Sequence, residues 1–194
     1  MNRRTLIKAL TAVPLAGLGS LAASGGGVFA QTPARKGVAV AEELQKNWKL
    51  LLADGAVVPA ATSKLELSKD EWKKRLSPAQ YSVLREEGTE RAGSSPLDNE
   101  KRPGVFVCAG CGLPLFSSAM KFDSGTGWPS YFTAIPGALG TSTDFKLILP
   151  RTEYHCARCG GHHGHLFKDG PAPTGQRYCN NGVALKFIPK NGAA

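Results

Sequence analysis

A mainly β, α+β fold is predicted for this 194-residue chain, and three observations predict it. From Gly104 onward, short alternating apolar runs are broken by Gly and Pro: VFVC, DFKLILP, TEYHC and VALKFIP. Before Gly104 come short helices with readable start signals. No strand–helix–strand alternation occurs, which argues against a parallel sheet.

The elements follow in chain order. MNRRTLIKAL carries Arg3, Arg4 and Lys8 with no acid, and a mildly apolar run, Ala9 to Ala23, leads to GGGVFA. Val28 and Ala30 stand where a signal peptidase accepts small residues, and NRRTLIK is close to the twin-arginine export pattern. The expectation is a twin-arginine-type signal peptide over 1–30, cleaved after Ala30, and a periplasmic protein. The run is too short and too rich in Gly for a membrane helix, so no stable membrane insertion is expected. Removing it takes three basic and no acidic residues from a formal charge of +9, leaving +6 on a chain long enough for one domain with a real core. The remaining charges are scattered and show no basic stripe with interleaved aromatics, which excludes nucleic acid as the expected partner.

Residues 31–39 read as a polar linker. Val40, Leu44, Trp48 and Leu51 recur at helical spacing and predict an amphipathic helix over Glu42 to Ala53, with a packing role. Ser68 with Glu71 forms a capping box ahead of Trp72, Arg75 and Leu76. Ser77-Pro78 with Gln80 forms another, with Pro at the first helical position and Gly88 as the stop. Residues 91–104 read as a loop leading into the strands.

Five cysteines punctuate the β region. Four form two knuckles, CAGCG at 108–112 and CARCG at 156–160. Cys108, Cys111, Cys156 and Cys159 can offer four thiolates to one tetrahedral ion, and Gly112 and Gly160 let each knuckle turn back on its sulfurs. Four sulfurs fill the shell of zinc and leave no open position, so the site is structural. Iron fits the same ligands. Two disulfides are the alternative for an exported chain, although the twin-arginine route carries proteins already folded with their metal.

The fifth cysteine lies in RYCNN. In a strand, Arg177, Cys179 and Asn181 share a face with Tyr178 and Asn180 behind. A guanidinium beside a thiol favours the thiolate, which is the nucleophile, so a reactive Cys179 is expected. An inert buried cysteine is the alternative. GTGWPS, 125–130, holds Trp128 in a Gly- and Pro-bounded turn that can present an indole to a ligand or anchor a loop. GGHHGHLF, 160–167, offers His162, His163 and His165 as metal ligands or proton donors, with Asp169 placed to orient one of them.

CAGCGLPLF, KFDSGTGWPS, RCGGHHGHLFKDGPAPTG, RYCNN and EWKKRLSPAQYSVLREEGTER resemble the methionine-R-sulfoxide reductases, the B class, from about Leu67 to Pro189. The resemblance implies two antiparallel sheets with short N-terminal helices, and a domain over 64–190 preceded by a linker and accessory helix over 31–63. It implies a structural zinc on the four paired cysteines and Cys179 as nucleophile. It implies Trp128 as the cradle for the substrate methyl group, with His162, His165, Asp169, Arg177 and Asn181 around the pocket. Cys179 would attack the sulfoxide sulfur while His165 protonates its oxygen, leaving methionine and a sulfenic acid.

Two departures from the family stand out. Many members carry a resolving cysteine in the Gly-Trp turn, where this chain has Thr126. The sulfenic acid is therefore expected to await an external thiol, such as a thioredoxin-like protein. His163 stands where an apolar residue is usual and would add a titratable group near the site. The expected substrates are free methionine sulfoxide or proteins containing it, and the expected state is a monomer. The alternatives are a non-enzymatic zinc-binding interaction module or a thiol redox sensor.

Overall fold

The structure, a computed structural model, describes residues 33–145 and 149–190. The signal assigned to residues 1–30 lies outside the described residues. Among those described, no helix is long and apolar enough to cross a membrane.

The first helix, α1, spans Pro33–Asn47 and runs on into a 3-10 turn at Trp48–Leu51. It begins inside the stretch read as a linker and ends before Ala53. Its inward face is also shifted: Ala41 is buried while Val40 is half exposed, and Leu44, Trp48 and Leu51 pack on the core. The Pro, Arg, Lys and Gly of this stretch give no helical signal in the sequence. A Cβ on Gly37 would lie 2.6 Å from Pro173.

Both capping boxes are present. In α2 (Lys69–Arg75), Ser68 Oγ accepts from Glu71 N and Glu71 accepts from Ser68 N at 2.8 Å. In α3 (Pro78–Glu86), Ser77 and Gln80 exchange the same pair. These helices bury Trp72, Val83 and Leu84. The left-handed cap residue of α3 is Glu87, at φ 55, and not Gly88. Gly88 answers a different need, since a Cβ there would sit 2.9 Å from Ser82 Oγ. A 3-10 turn at Pro96–Asn99 interrupts the loop that follows.

Among the described residues, nine strands build two antiparallel sheets, as the resemblance implied. β1 (Gly104–Cys108), β2 (Pro114–Ser117) and β9 (Leu185–Pro189) form the small sheet, with β1 central. The larger sheet has six strands. In chain order these are β3 (Lys121–Phe122), β4 (Ser130–Tyr131), β5 (Leu139–Asp144), β6 (Arg151–Cys156), β7 (His162–Phe167) and β8 (Arg177–Asn180). Their spatial order is β3-β4-β8-β7-β6-β5. Aromatics fill the core: Phe116 stacks on Tyr131 at 3.9 Å, and Phe106 meets the same ring edge-on at 5.3 Å.

Two strand expectations need correction. Of DFKLILP only Asp144 is seen in a strand: it ends β5, the polar LGTSTD, and Phe145 and Leu149 stand exposed. β5 is an edge strand with little to bury, so it lacks the alternation by which strands are recognised. VALKFIP begins as a 3-10 turn, Gly182–Ala184, and extends only from Leu185.

Candidate active site and metal centre

The metal centre lies where β1 and β6 end. Cys108 and Cys156 close those strands, and each knuckle turns back on itself. Gly112 N donates to Cys108 O at 2.8 Å, and Gly160 N donates to Cys156 O at 2.9 Å. The four Sγ atoms are buried and all lie within 4.8 Å of one another. The closest pairs are Cys111–Cys156 at 3.5 Å and Cys108–Cys159 at 3.7 Å, and no cysteine is bonded to another. Zinc–sulfur bonds of about 2.3 Å place tetrahedral sulfurs about 3.8 Å apart, so the cage has the size for zinc. Three arginines fasten it, two from the helices and one within the second knuckle: Arg75 of α2 donates to Gly110 O, Arg85 of α3 to Cys159 O, and Arg158 to Cys111 O. The N-terminal helices thus serve as a lid on the knuckles.

The candidate active site is a row of residues across the larger sheet. Register pairs Ser130 with Cys179, Cys179 with His165, His165 with Glu153, and Glu153 with Ser142. Directly opposed side chains lie roughly 5 Å apart at Cβ, so thiol and imidazole face each other. A second row, two residues along, pairs Asp144 with Arg151 and Phe167 with Arg177.

His162 and His165 are three apart and would occupy opposite faces of a regular strand. They share one face because β7 carries a bulge. Tyr154 pairs with Gly164 and His155 with His162, leaving His163 as the extra residue. Gly164 makes this possible: its φ is 155, and a Cβ there would lie 2.0 Å from Cys179 O. His163 is driven into the core, fully buried and parallel to the Tyr154 ring. Burial lowers its pKa to about 3, so it is neutral and no rival to His165 as a proton donor.

A cleft of about 130 Å³ opens over Cys179, lined by Thr89, Trp128, Arg151, His165, Phe167 and Asn181 among others. It adjoins a wider recess of about 460 Å³ that holds His162, Glu153 and Asp144. His165 Nε2 meets Asp144 Oδ2 at 2.8 Å, and Arg151 donates to the same oxygen at 2.6 Å. Burial lowers the His165 pKa against the pull of Asp144, so the resting imidazole is neutral. His162 Nδ1 meets Glu153 Oε1 at 2.8 Å, while its buried Nε2 has no protein partner.

The site residues named from sequence therefore separate into groups. Cys179 and His165 face each other, Trp128 and Asn181 line the same cleft, and His162 lies beside it. Arg177 stands beside Cys179 on the same face of β8, and both it and Asp169 lie outside the cleft lining. Asp169 orients no histidine. It takes both arms of the Arg177 guanidinium at 2.9 Å, and that guanidinium lies 4.4 Å over the Phe167 ring. The carboxylate for His165 is Asp144. Sequence reasoning missed it because Asp144 sits on the polar edge strand; it also passed over Glu153 and Arg151, whose polar i, i+2 spacing in RTE was the available signal.

The expected low-pKa thiolate also needs correction. Burial pushes the Cys179 thiol up, and the Arg177 guanidinium and Thr126 hydroxyl only partly offset it. Asp169, paired with Arg177, works in the opposite direction. The resting pair is thiol and neutral imidazole.

The SelR domain family matches residues 76–189. The chain is 54% identical over 122 residues to the chloroplastic peptide methionine sulfoxide reductase B1 of Arabidopsis thaliana, covering 62% of this chain and 60% of that one. It is 52% identical over 128 residues to the peptide methionine sulfoxide reductase MsrB of Methanosarcina barkeri, covering 66% and 90%. It is 50% identical over 127 residues to the MsrB of Agrobacterium fabrum, covering 65% and 94%.

Proposed function

Because this chain belongs to the SelR domain family of B-class methionine-R-sulfoxide reductases, we propose that it reduces the R epimer of methionine sulfoxide to methionine with Cys179 as the nucleophile. The observation that carries the residue assignment is the register that sets Cys179 against His165 inside the cleft walled by Trp128.

The chemistry begins from the neutral pair. His165 Nε2 is held by Asp144, which leaves Nδ1 free to take the Cys179 proton. The sulfur attacks the sulfoxide sulfur, and the imidazolium returns the proton to the departing oxygen. The sulfur–sulfur bond formed by attack and the substrate's sulfur–oxygen bond both break as the protonated oxygen passes to Cys179 as hydroxyl and methionine leaves. The thiol and sulfoxide become sulfenic acid and thioether, with atoms and electrons balanced. Arg177 lies beside the nucleophile on the same face of β8 and favours its anion during attack. Trp128, its indole N–H fixed to Glu90 O at 3.2 Å, holds the methyl group, and Asn181 lines the same cleft.

The four paired cysteines hold a structural zinc. It supplies cross-linking and no open coordination position, so these thiols are withheld from Cys179. With Thr126 at the turn, an external thiol reductant, thioredoxin-like in class, regenerates the enzyme. The protein acts as a monomer on free or protein-bound methionine sulfoxide. Residues 1–30 direct twin-arginine export to the periplasm; a reporter fused to them should lose export when Arg3 and Arg4 become Lys.

The test is turnover of separated R and S sulfoxide epimers with dithiothreitol. The R epimer should be consumed and the S epimer left. Cys179→Ser should abolish turnover and keep zinc and fold. Activity in that variant, or preference for S, would refute the assignment.

A further inference from the structure

Glu90 lies in the irregular loop after α3 and belongs to no strand or helix. Its half-buried position is nonetheless tied down by every polar group it has. Carboxylate Oε1 accepts from Gly182 N at 2.6 Å, and Oε2 accepts from Val183 N at 2.8 Å. Its backbone N–H donates to Asn181 Oδ1 at 2.9 Å, and its carbonyl accepts from Trp128 Nε1 at 3.2 Å. A neighbouring bond ties the same loop to the Trp128 turn, from Gly93 N to Gly127 O at 2.7 Å. The two backbone bonds reach two residues that line the methionine cleft, Trp128 and Asn181. The two carboxylate bonds reach the segment that leaves Cys179.

Resting on the reductase reading, we propose that Glu90 is a positioning residue that sets the width of the substrate cleft. Its side chain locks the loop to residues 182–183, and its backbone, so fixed, holds Trp128 and Asn181 apart at the spacing the substrate needs. Only a carboxylate serves both N–H groups, because it is acceptor-only at both oxygens. A glutamine amide offers one oxygen and turns an NH₂ toward the other N–H. There is no slack to absorb the change, since a Cβ on Gly182 would lie 2.0 Å from Ser95 Oγ. Glu90 does not touch the reacting atoms, so its loss should weaken binding more than it slows the chemistry.

The experiment is single-turnover reduction of the R epimer by the zinc-loaded full chain, comparing wild type, Glu90→Gln and Glu90→Asp. Glu90→Gln should raise the half-saturating sulfoxide concentration about tenfold, the scale of one lost hydrogen bond to a charged acceptor. Its limiting rate constant, and the rate at which a small alkylating agent modifies Cys179, should stay near wild type. Glu90→Asp keeps both oxygens one methylene short and should shift half-saturation in the same direction; it carries the test if the glutamine variant does not load zinc. Unchanged half-saturation in the variants overturns the proposal, as does a fall in limiting rate at constant half-saturation. A wild-type protein that ignores the R epimer would instead overturn the activity, and this role with it.

Discussion

At Cys179, Arg177 and Thr126 pull against burial while Asp169 works with it, and each can be removed separately. Thr126→Val deletes a hydroxyl that favours the anion, so the thiol pKa should rise. Arg177→Met deletes the stronger favourable neighbour and should raise it further. Asp169→Asn removes an unfavourable charge and releases the guanidinium from its ion pair, so the thiol pKa should fall. The pH dependence of Cys179 alkylation reads all three, and the wild-type midpoint should lie above that of an ordinary thiol, about 8.5. Identical midpoints would mean that burial alone governs the sulfur. The residue RYCNN was legible as a nucleophile strand. Its net charge state was not, because sequence shows Arg177 two places away but not Asp169 occupying it or the cleft desolvating the thiol.

Among the elements, β7 decides the site. GHHGHLF advertises histidines, but only the bulge at His163 and the positive φ of Gly164 place His162 and His165 on one face. Nothing in a period-2 reading predicts that phase change. The capped helices were legible because Ser-x-x-Glu and Ser-Pro-x-Gln are local signals; β5 was not, because an edge strand of Thr, Ser and Gly has no buried face to advertise. The buried His163 has a consequence for stability. Its folded pKa, about 3, lies below the unfolded value of about 6.5. The unfolded chain therefore takes up a proton first as pH falls, and stability is complete above about pH 6.5 and declines toward pH 3. The slope from this group is about 1.4 kcal/mol per pH unit. His163→Leu should flatten the fall in melting temperature between pH 7 and 5, and an unchanged slope would show that the ring is accessible to protons in the folded state.

Over the whole molecule, the zinc cage joins the small sheet to the larger one through β1 and β6, and the arginines of α2 and α3 close over it. Metal-ligand binding of this kind is folding energy. Chelation or Cys111→Ser should lower the melting temperature by many degrees and take activity with it, while Cys179→Ser should leave both zinc and melting temperature near wild type. The sequence holds two methionines, and Met120 is fully buried with its sulfur against Ser117 N. Mild peroxide should therefore spare Met120 until the fold opens, as peptide mapping would show. On this mechanism Cys179 works alone while four thiols stay on the metal. The most direct measurement is intact mass and zinc content after a single turnover of the R epimer without reductant. One oxygen gained at Cys179, one methionine released and the zinc retained is the predicted result; an internal disulfide in place of the oxygen would contradict it.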